Sequence, residues 1–408
     1  MGGKRGWVMH IKGIDEVDLR GKRVFIRVDF NVPLDDEGKV ADDTRIRRAL
    51  QTIELALEKG GKVILASHLG RPKGKPEAKY SMAPCAVHLG RLLQREVRLA
   101  PDCIGPEVER MVEGTNQGEL LMLENLRFHK EEEDNDPAFA KALAAMTDVY
   151  VNDGFAVAHR ANASVEAITR FVKECCAGLL MKQELQAFAQ AMENPARPLV
   201  AILGGGKVAD KLGAVFHLVD LADKVILGGA VAYTFLKAKG IHIGASAVEE
   251  EMLPQAKRIL QKAQRKGVKL YLPVDCVLAQ RKGPGADTMV RPVQEIPEGW
   301  MGLDIGPASV ALFSEALADA RTIVWNGPMG VYELDPFSRG TSELVRAVAH
   351  SGAFSMLGGG DLDSAIRMTG EADKISYIST GGGAFVELIE GRSLPGVKAL
   401  TRCAKRRR

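Results

Sequence analysis

Short apolar runs rich in β-branched residues alternate with longer helix-like stretches along nearly the whole chain, and this alternation constrains the fold more than any other feature. The runs are Val24–Val28, Val63–Ala66, Leu120–Leu123 and Val149–Val151, followed by Leu199–Leu203, Val225–Leu227, Leu270–Leu272, Thr322–Trp325, Phe354–Leu357 and Ile375–Ile378. A strand that is apolar on both faces has to be covered on both faces, so such runs separated by helices predict parallel sheets between helix layers. Most of the runs stop at Gly, Asn, Asp or Pro, the residues that end strands in loops.

A chain of 408 residues suggests two or three domains at about 100–200 residues each. Leu179 to Met192 reads as one amphipathic helix, and Asn194-Pro195 and Arg197-Pro198 then forbid its continuation. The expected fold is therefore α/β: two doubly wound, Rossmann-like parallel-sheet lobes joined by a connecting helix and hinge. The expected division is 1–178, a connector 179–194, a second lobe 195–388, and a tail 389–408.

Composition excludes several classes. Apolar residues make up 46% and charged residues 26%, which is ordinary for a globular protein, and the net charge of +3 gives no reason to expect nucleic acid binding. No apolar run reaches the roughly 18 residues of a membrane span. Met1–His10 is basic but lacks a signal-peptide core, Gly2 followed by Gly6 fails the myristoylation pattern, and Met9 is an alternative start. The closing Lys405-Arg406-Arg407-Arg408 reads as a solvated tail. Cys85, Cys103, Cys175, Cys176, Cys276 and Cys403 show no Cys-x-x-Cys and no zinc spacing, so reduced, mostly buried thiols of a cytosolic protein are expected.

Ligands of doubly wound sheets bind beyond the carboxyl ends of the strands, so the residues after each run carry the chemistry. In the first half these are polar and cationic: Asp29, Phe30 and Asn31; His68, Leu69, Gly70 and Arg71; Arg127; and His159-Arg160, with Arg45 in a turn-to-helix stretch. Planar guanidinium forks repeated on several strand ends imply a small, multiply charged anion. In the second half the strand ends are glycine-rich: Gly204-Gly205-Gly206-Lys207, Gly228-Gly229, Asn326-Gly327-Pro328, Gly358-Gly359-Gly360-Asp361 and Gly381-Gly382-Gly383. Glycines let backbone N–H groups approach phosphates, and a following helix N-terminus favours the negative charge. A Walker A loop is excluded, because Val208 and not Ser or Thr follows Lys207. Gly204-x-Gly206-x-x-Ala209 matches a dinucleotide fingerprint, but the next strand closes on Gly228-Gly229 and not on an acidic residue, which disfavours an NAD-dependent oxidoreductase.

The motifs Val28-Asp29-Phe30-Asn31-Val32-Pro33, Ser67-His68-Leu69-Gly70-Arg71-Pro72, Glu124-Asn125-Leu126-Arg127-Phe128, Gly204-Gly205-Gly206-Lys207-Val208, Trp325-Asn326-Gly327-Pro328 and Ser379-Thr380-Gly381-Gly382-Gly383 resemble signatures of the phosphoglycerate kinase family. The resemblance runs from about Val24 to Leu394-Pro395-Gly396-Val397. It implies reversible phosphoryl transfer between 1,3-bisphosphoglycerate and ADP, giving 3-phosphoglycerate and ATP, on lobe closure. It implies that Asp29, Phe30, Asn31, Arg45, His68, Leu69, Gly70, Arg71, Arg127 and Arg160 form the substrate site. It implies that Gly205, Gly206, Lys207, Lys211, Gly229, Gly302, Asn326, Pro328, Glu333, Gly359, Gly360, Asp361 and Leu362 hold the Mg2+ nucleotide. Glu333 would meet the ribose and Asp361 the magnesium. A cytoplasmic monomer whose tail returns to the first lobe is also implied.

Arg45 and Lys211 are assigned to stabilising the transferring group, and His68 to positioning substrate by hydrogen bonding. The acceptor carboxylate is already ionised, so no general base is needed. An inactive homologue acting as a binding module is the other alternative, and the presence of Arg45 and Lys211 speaks against it. The chain departs from the family pattern at Gly206, Ala230, Gly154, Ala156 and Val157, and at Leu362, where the family usually has Thr. The last is expected to remove a hydroxyl from the phosphate site, with Ser364 as a possible replacement.

Overall fold

The computed structural model describes residues 11–406. The readings made on Met1–His10, and on Arg407 and Arg408, fall outside these residues. The chain divides into two compact units. One runs to Gln186 and takes up the chain again at Ser393; the other is Ala187–Arg392.

The first unit contains β1 (Arg23–Arg27), β2 (Lys62–Ala66), β3 (Arg98–Leu99), β4 (Leu120–Met122), β5 (Val149–Asn152) and β6 (Glu174–Ala177). They form one sheet in the order β3-β4-β2-β1-β5-β6 with every pairing parallel. Helices cover both faces, as the unbroken apolar runs require. In the helix Thr44–Glu58, Ile46, Ala49, Ile53, Ala56 and Leu57 are buried, a helical spacing that puts one apolar stripe on the sheet. The strands with the weakest sequence signal escaped prediction: β3 has two residues, and β6 reads Glu-Cys-Cys-Ala with no β-branched residue.

The second unit contains β7 (Leu199–Leu203), β8 (Lys224–Leu227), β9 (Lys269–Tyr271), β10 (Asp275–Ala279), β11 (Met289–Pro292), β12 (Met301–Ile305), β13 (Thr322–Asn326), β14 (Phe354–Gly358) and β15 (Tyr377–Ser379). Six form a parallel sheet in the order β15-β14-β13-β7-β8-β9. A small antiparallel sheet, β11-β10-β12, was not foreseen. Arg291 and Asp304 interrupt β11 and β12, and the short apolar run Cys276–Ala279 of β10 was passed over.

The connecting segment is α-helical over Leu179–Phe188 and continues as a π-helical turn over Ala189–Glu193, stopping before Pro195. The helix Pro395–Lys405 packs on β6 in the first unit; Gly396 N–H donates to Ala158 O (2.9 Å) and Arg402 pairs with Glu166.

The expectation of reduced cysteines is corrected here. Cys175 is joined to Cys403 by a disulfide, while Cys85, Cys103, Cys176 and Cys276 are free and buried. Alternation along β6 sends Cys176 into the sheet core and Cys175 the other way, toward the C-terminal helix that carries Cys403. A sequence separation of 228 residues gave no hint of the pairing.

Candidate active site

In the first unit, β4, β2, β1 and β5 are neighbours whose carboxyl ends lie level: Arg27 pairs in register with Ala66 and with Asn152. The polar segments after these strands therefore meet along one edge. Arg45 Nη1 donates to Asp29 Oδ2 (2.6 Å), and Asp29 Oδ1 accepts from Asn31 N–H (3.2 Å). Asn31 Oδ1 accepts from Gly70 N–H (2.8 Å), while Arg127 Nη1 donates to Gly70 O (2.9 Å), so Gly70 is held from two sides. Gly70 has φ +62°, and a Cβ there would lie 2.4 Å from the Tyr80 ring. Arg127 also pairs with Glu133 (3.2 Å), Arg71 is exposed, and Arg160 Nε approaches His159 Nε2 (3.4 Å).

Burial, together with Arg27, Arg127, Arg160 and Arg45, holds the His68 imidazole well below its ordinary pKa. It is therefore neutral, which suits a hydrogen-bonding positioner. Two predicted residues reach the edge only through their backbone: Phe30 and Leu69 are 0% and 3% exposed and belong to the sheet core.

The second unit carries a cleft of about 1000 Å³ along the carboxyl ends of its parallel sheet. Gly205, Gly206, Lys207, Lys211, Gly229, Gly302, Asn326, Pro328, Glu333, Gly359, Gly360 and Asp361 all line it. The floor depends on missing side chains. A Cβ on Gly229 (φ +57°) would meet Gly205 N at 2.6 Å, and a Cβ on Gly302 would meet Tyr233 Oη at 1.8 Å. Lys211 Nζ donates to Asn326 Oδ1, and Asn326 Nδ2 donates to Gly358 O (2.6 Å), so the ammonium is fixed between β13 and β14. Burial lowers the Lys211 pKa to about 8, against the opposing pull of Asp361 and Asp210. Glu333 pairs with Lys282 (3.3 Å), a lining residue that sequence reasoning missed, as it missed Tyr233 and Tyr332.

Two expectations are corrected. Leu362 does not line the cleft: it is 0% exposed and packs in the core under the helix Gly360–Thr369. Its stripe partners Ala365 and Ile366 are buried with it, and the Ser364 hydroxyl donates to Gly360 O (3.1 Å). The helix Ala209–Leu221 does not offer its first amides to a ligand either. Val208 N–H and Ala209 N–H donate to the Glu249 carboxylate at 2.8 and 3.0 Å.

Asp361 fits a magnesium site by its chemistry. It is exposed beside Gly359 and Gly360 in the cleft, and one carboxylate completed by phosphate oxygens and water is the donor set magnesium prefers. Bound there, the ion would neutralise phosphate charge. Asp102, Cys103 and His129 also cluster, but the His129 Nε2–Asp102 Oδ1 contact (2.7 Å) accounts for their proximity.

An edge of convergent arginines on one α/β unit and a glycine-floored cleft with a partly buried lysine on the other are the equipment of a phosphotransferase. The family model for phosphoglycerate kinase matches residues 14–392. The chain is 60% identical over 393 residues to "Phosphoglycerate kinase" of Geobacter metallireducens, covering 96% of this chain and 99% of that one. The same name belongs to a relative in Geotalea uraniireducens, also 60% identical over 393 residues, covering 96% and 98%. Among solved structures, phosphoglycerate kinase from Coxiella burnetii superposes with a TM-score of 0.88 at 42% identity, covering 97% of this chain and all of the other. The chain belongs to the phosphoglycerate kinase family and is a glycolytic phosphotransferase. No helix among the described residues is long and apolar enough to cross a membrane.

Proposed function

We propose that the first unit binds 3-phosphoglycerate or 1,3-bisphosphoglycerate through Asp29, Asn31, Arg45, His68, Gly70, Arg71, Arg127 and Arg160, and that the second binds magnesium ADP or ATP. Phosphoryl transfer is then direct and in line once both ligands are brought together, because reacting atoms must approach to about 3–3.5 Å. The observation that carries this reading is the pairing of chemistries: guanidinium groups converge on one sheet edge, and a lysine-bearing, glycine-floored cleft lies along the other.

In the transition state Arg45 leaves Asp29 for the transferring group, and Lys211, already held by Asn326, adds a second cation. Asp361 holds magnesium. Glu333 exchanges Lys282 for the ribose.

Calorimetry with each ligand separately tests the division. Arg127→Ala should abolish 3-phosphoglycerate binding and spare ADP, and Lys211→Ala should do the reverse; loss of both ligands in either variant would contradict it. The NAD alternative fails on β8, which closes on Gly228 where a ribose-binding acid is needed. A monomer is proposed, checked by sedimentation. A cytoplasmic location follows from the glycolytic role, and alkylation of intact cells would show whether the Cys175–Cys403 bridge is kept there.

A further inference from the structure

Arg27 ends β1 inside the first unit, is 2% exposed, and directs its guanidinium nitrogens at protein groups. Each of its three guanidinium nitrogens has a partner. Nε donates to Ser164 Oγ (2.8 Å), Nη1 to Val28 O, and Nη2 lies 3.3 Å from His68 Nδ1. Ser164 is fixed in turn by Glu132, which is 1% exposed: its carboxylate accepts from Ser164 Oγ (2.6 Å) and from Ser164 N–H (2.9 Å). A buried line Glu132–Ser164–Arg27 therefore ends on the imidazole.

A guanidinium has only donors. His68 Nδ1 must accept from it with its lone pair, so the ring hydrogen sits on Nε2. Asp29 Oδ1 lies 3.9 Å from Nδ1, too far for a hydrogen bond, and Asp29 is already engaged by Arg45 and Asn31. The cations acting on the ring are Arg27, Arg45, Arg127 and Arg160.

We infer that Arg27 is a positioning residue: by donating to His68 Nδ1 it holds the imidazole as the neutral tautomer with hydrogen on Nε2, so that His68 serves the bound anion only as a hydrogen-bond donor. The inference rests on the reading of His68 as part of the 3-phosphoglycerate site. The design has a physical reason. The arginines already supply the charge, and a fifth desolvated cation among them would repel its neighbours, whereas a neutral donor adds direction without charge.

The test uses the whole protein labelled with 15N-histidine, with His68→Gln identifying the signal. The ligand-free wild type should show His68 neutral, with hydrogen on Nε2, from about pH 5.5 to pH 8, where an ordinary imidazole titrates. Arg27→Met should release Nδ1 and let His68 take up a proton within that window. The KM for 3-phosphoglycerate should then rise about tenfold between pH 6 and pH 8 while the KM for ADP stays level. A wild-type spectrum with hydrogen on Nδ1, or an imidazolium at pH 7, overturns the inference even if Arg27→Met does not fold. An Arg27→Met protein with unchanged tautomer and unchanged pH profile overturns it too. If the wild type showed the expected tautomer but did not bind 3-phosphoglycerate, the substrate reading would fall and the role of Arg27 toward His68 would stand.

Discussion

Lys211 is a cation partly withdrawn from water, and that has a measurable consequence. Its pKa is lowered to about 8, so near that pH part of the unliganded population carries a neutral amine. Nucleotide phosphates favour the charged form and raise the pKa again. Binding should therefore take up a proton near pH 8, and affinity should fall as pH rises above 8. Calorimetry in buffers of different ionisation enthalpy reads the uptake directly; a buffer-independent heat at pH 8 would argue against it. The same depression acts on stability. The native state resists protonating Lys211, so its cost is fully present below pH 8 and is relieved as pH climbs toward the ordinary lysine value of 10.5. Arg45 acts differently, since its partner Asp29 is available in the resting state. Arg45→Ala should lower kcat about 10²–10³-fold and leave the KM for 3-phosphoglycerate within a few-fold, as for loss of one transition-state donor. A kcat within a few-fold of wild type would remove Arg45 from the reaction. At this scale motifs say which residues gather and not where their side chains point. Phe30, Leu69 and Leu362 lie beside residues of the sheet edge and the cleft yet point into cores. Helical spacing could have shown this for Leu362, which shares a stripe with Ala365 and Ile366. Arg27 also had a signal, a charge inside the apolar run Val24–Val28, where a buried cation demands partners.

The helix Gly360–Thr369 presents its first turn to the cleft and its apolar stripe to the core. Leu362→Thr changes the stripe and not the cleft. It should cost about 2–4 kcal/mol through lost packing and a buried hydroxyl, with ADP affinity within a few-fold of wild type. Denaturant unfolding and calorimetry together check this; tighter ADP binding at unchanged stability would return Leu362 to the phosphate site. Gly229→Ala probes the cleft floor. Its left-handed φ and the 2.6 Å approach to Gly205 N leave no room for a methyl group, so the β7 and β8 loops must part. ADP binding should weaken at least about tenfold and 3-phosphoglycerate binding should not change; equal affinity for ADP would show that the floor tolerates the shift. Most strands buried on both faces were legible because they are nearly continuous apolar runs. The sheet β11-β10-β12 was not, because Arg291 and Asp304 break up two of its strands and the third, β10, is short, with Cys276 and Leu278 in one small cluster and Val277 and Ala279 against another.

For the molecule as a whole, the sequence pointed to two α/β units and their separate chemistries, since strand ends differ in kind between the halves. The bridge between Cys175 and Cys403 was invisible, because pairing across the chain depends on where the last helix docks. Closing so long a loop should stabilise the protein by about 2–4 kcal/mol. Reductant should lower the unfolding midpoint of the wild type and leave that of Cys403→Ser unchanged; equal midpoints with and without reductant would show that the bridge contributes nothing. A coupled assay with magnesium ATP and 3-phosphoglycerate measures directly whether this chain moves a phosphoryl group between a nucleotide and 3-phosphoglycerate. ADP formation should depend on both substrates, with kcat in the range of about 1–10³ s⁻¹ and a loss of about 10²–10³-fold in Arg45→Ala. Folded protein that binds both ligands but forms no ADP, or that turns over equally well with Arg45 removed, would contradict it.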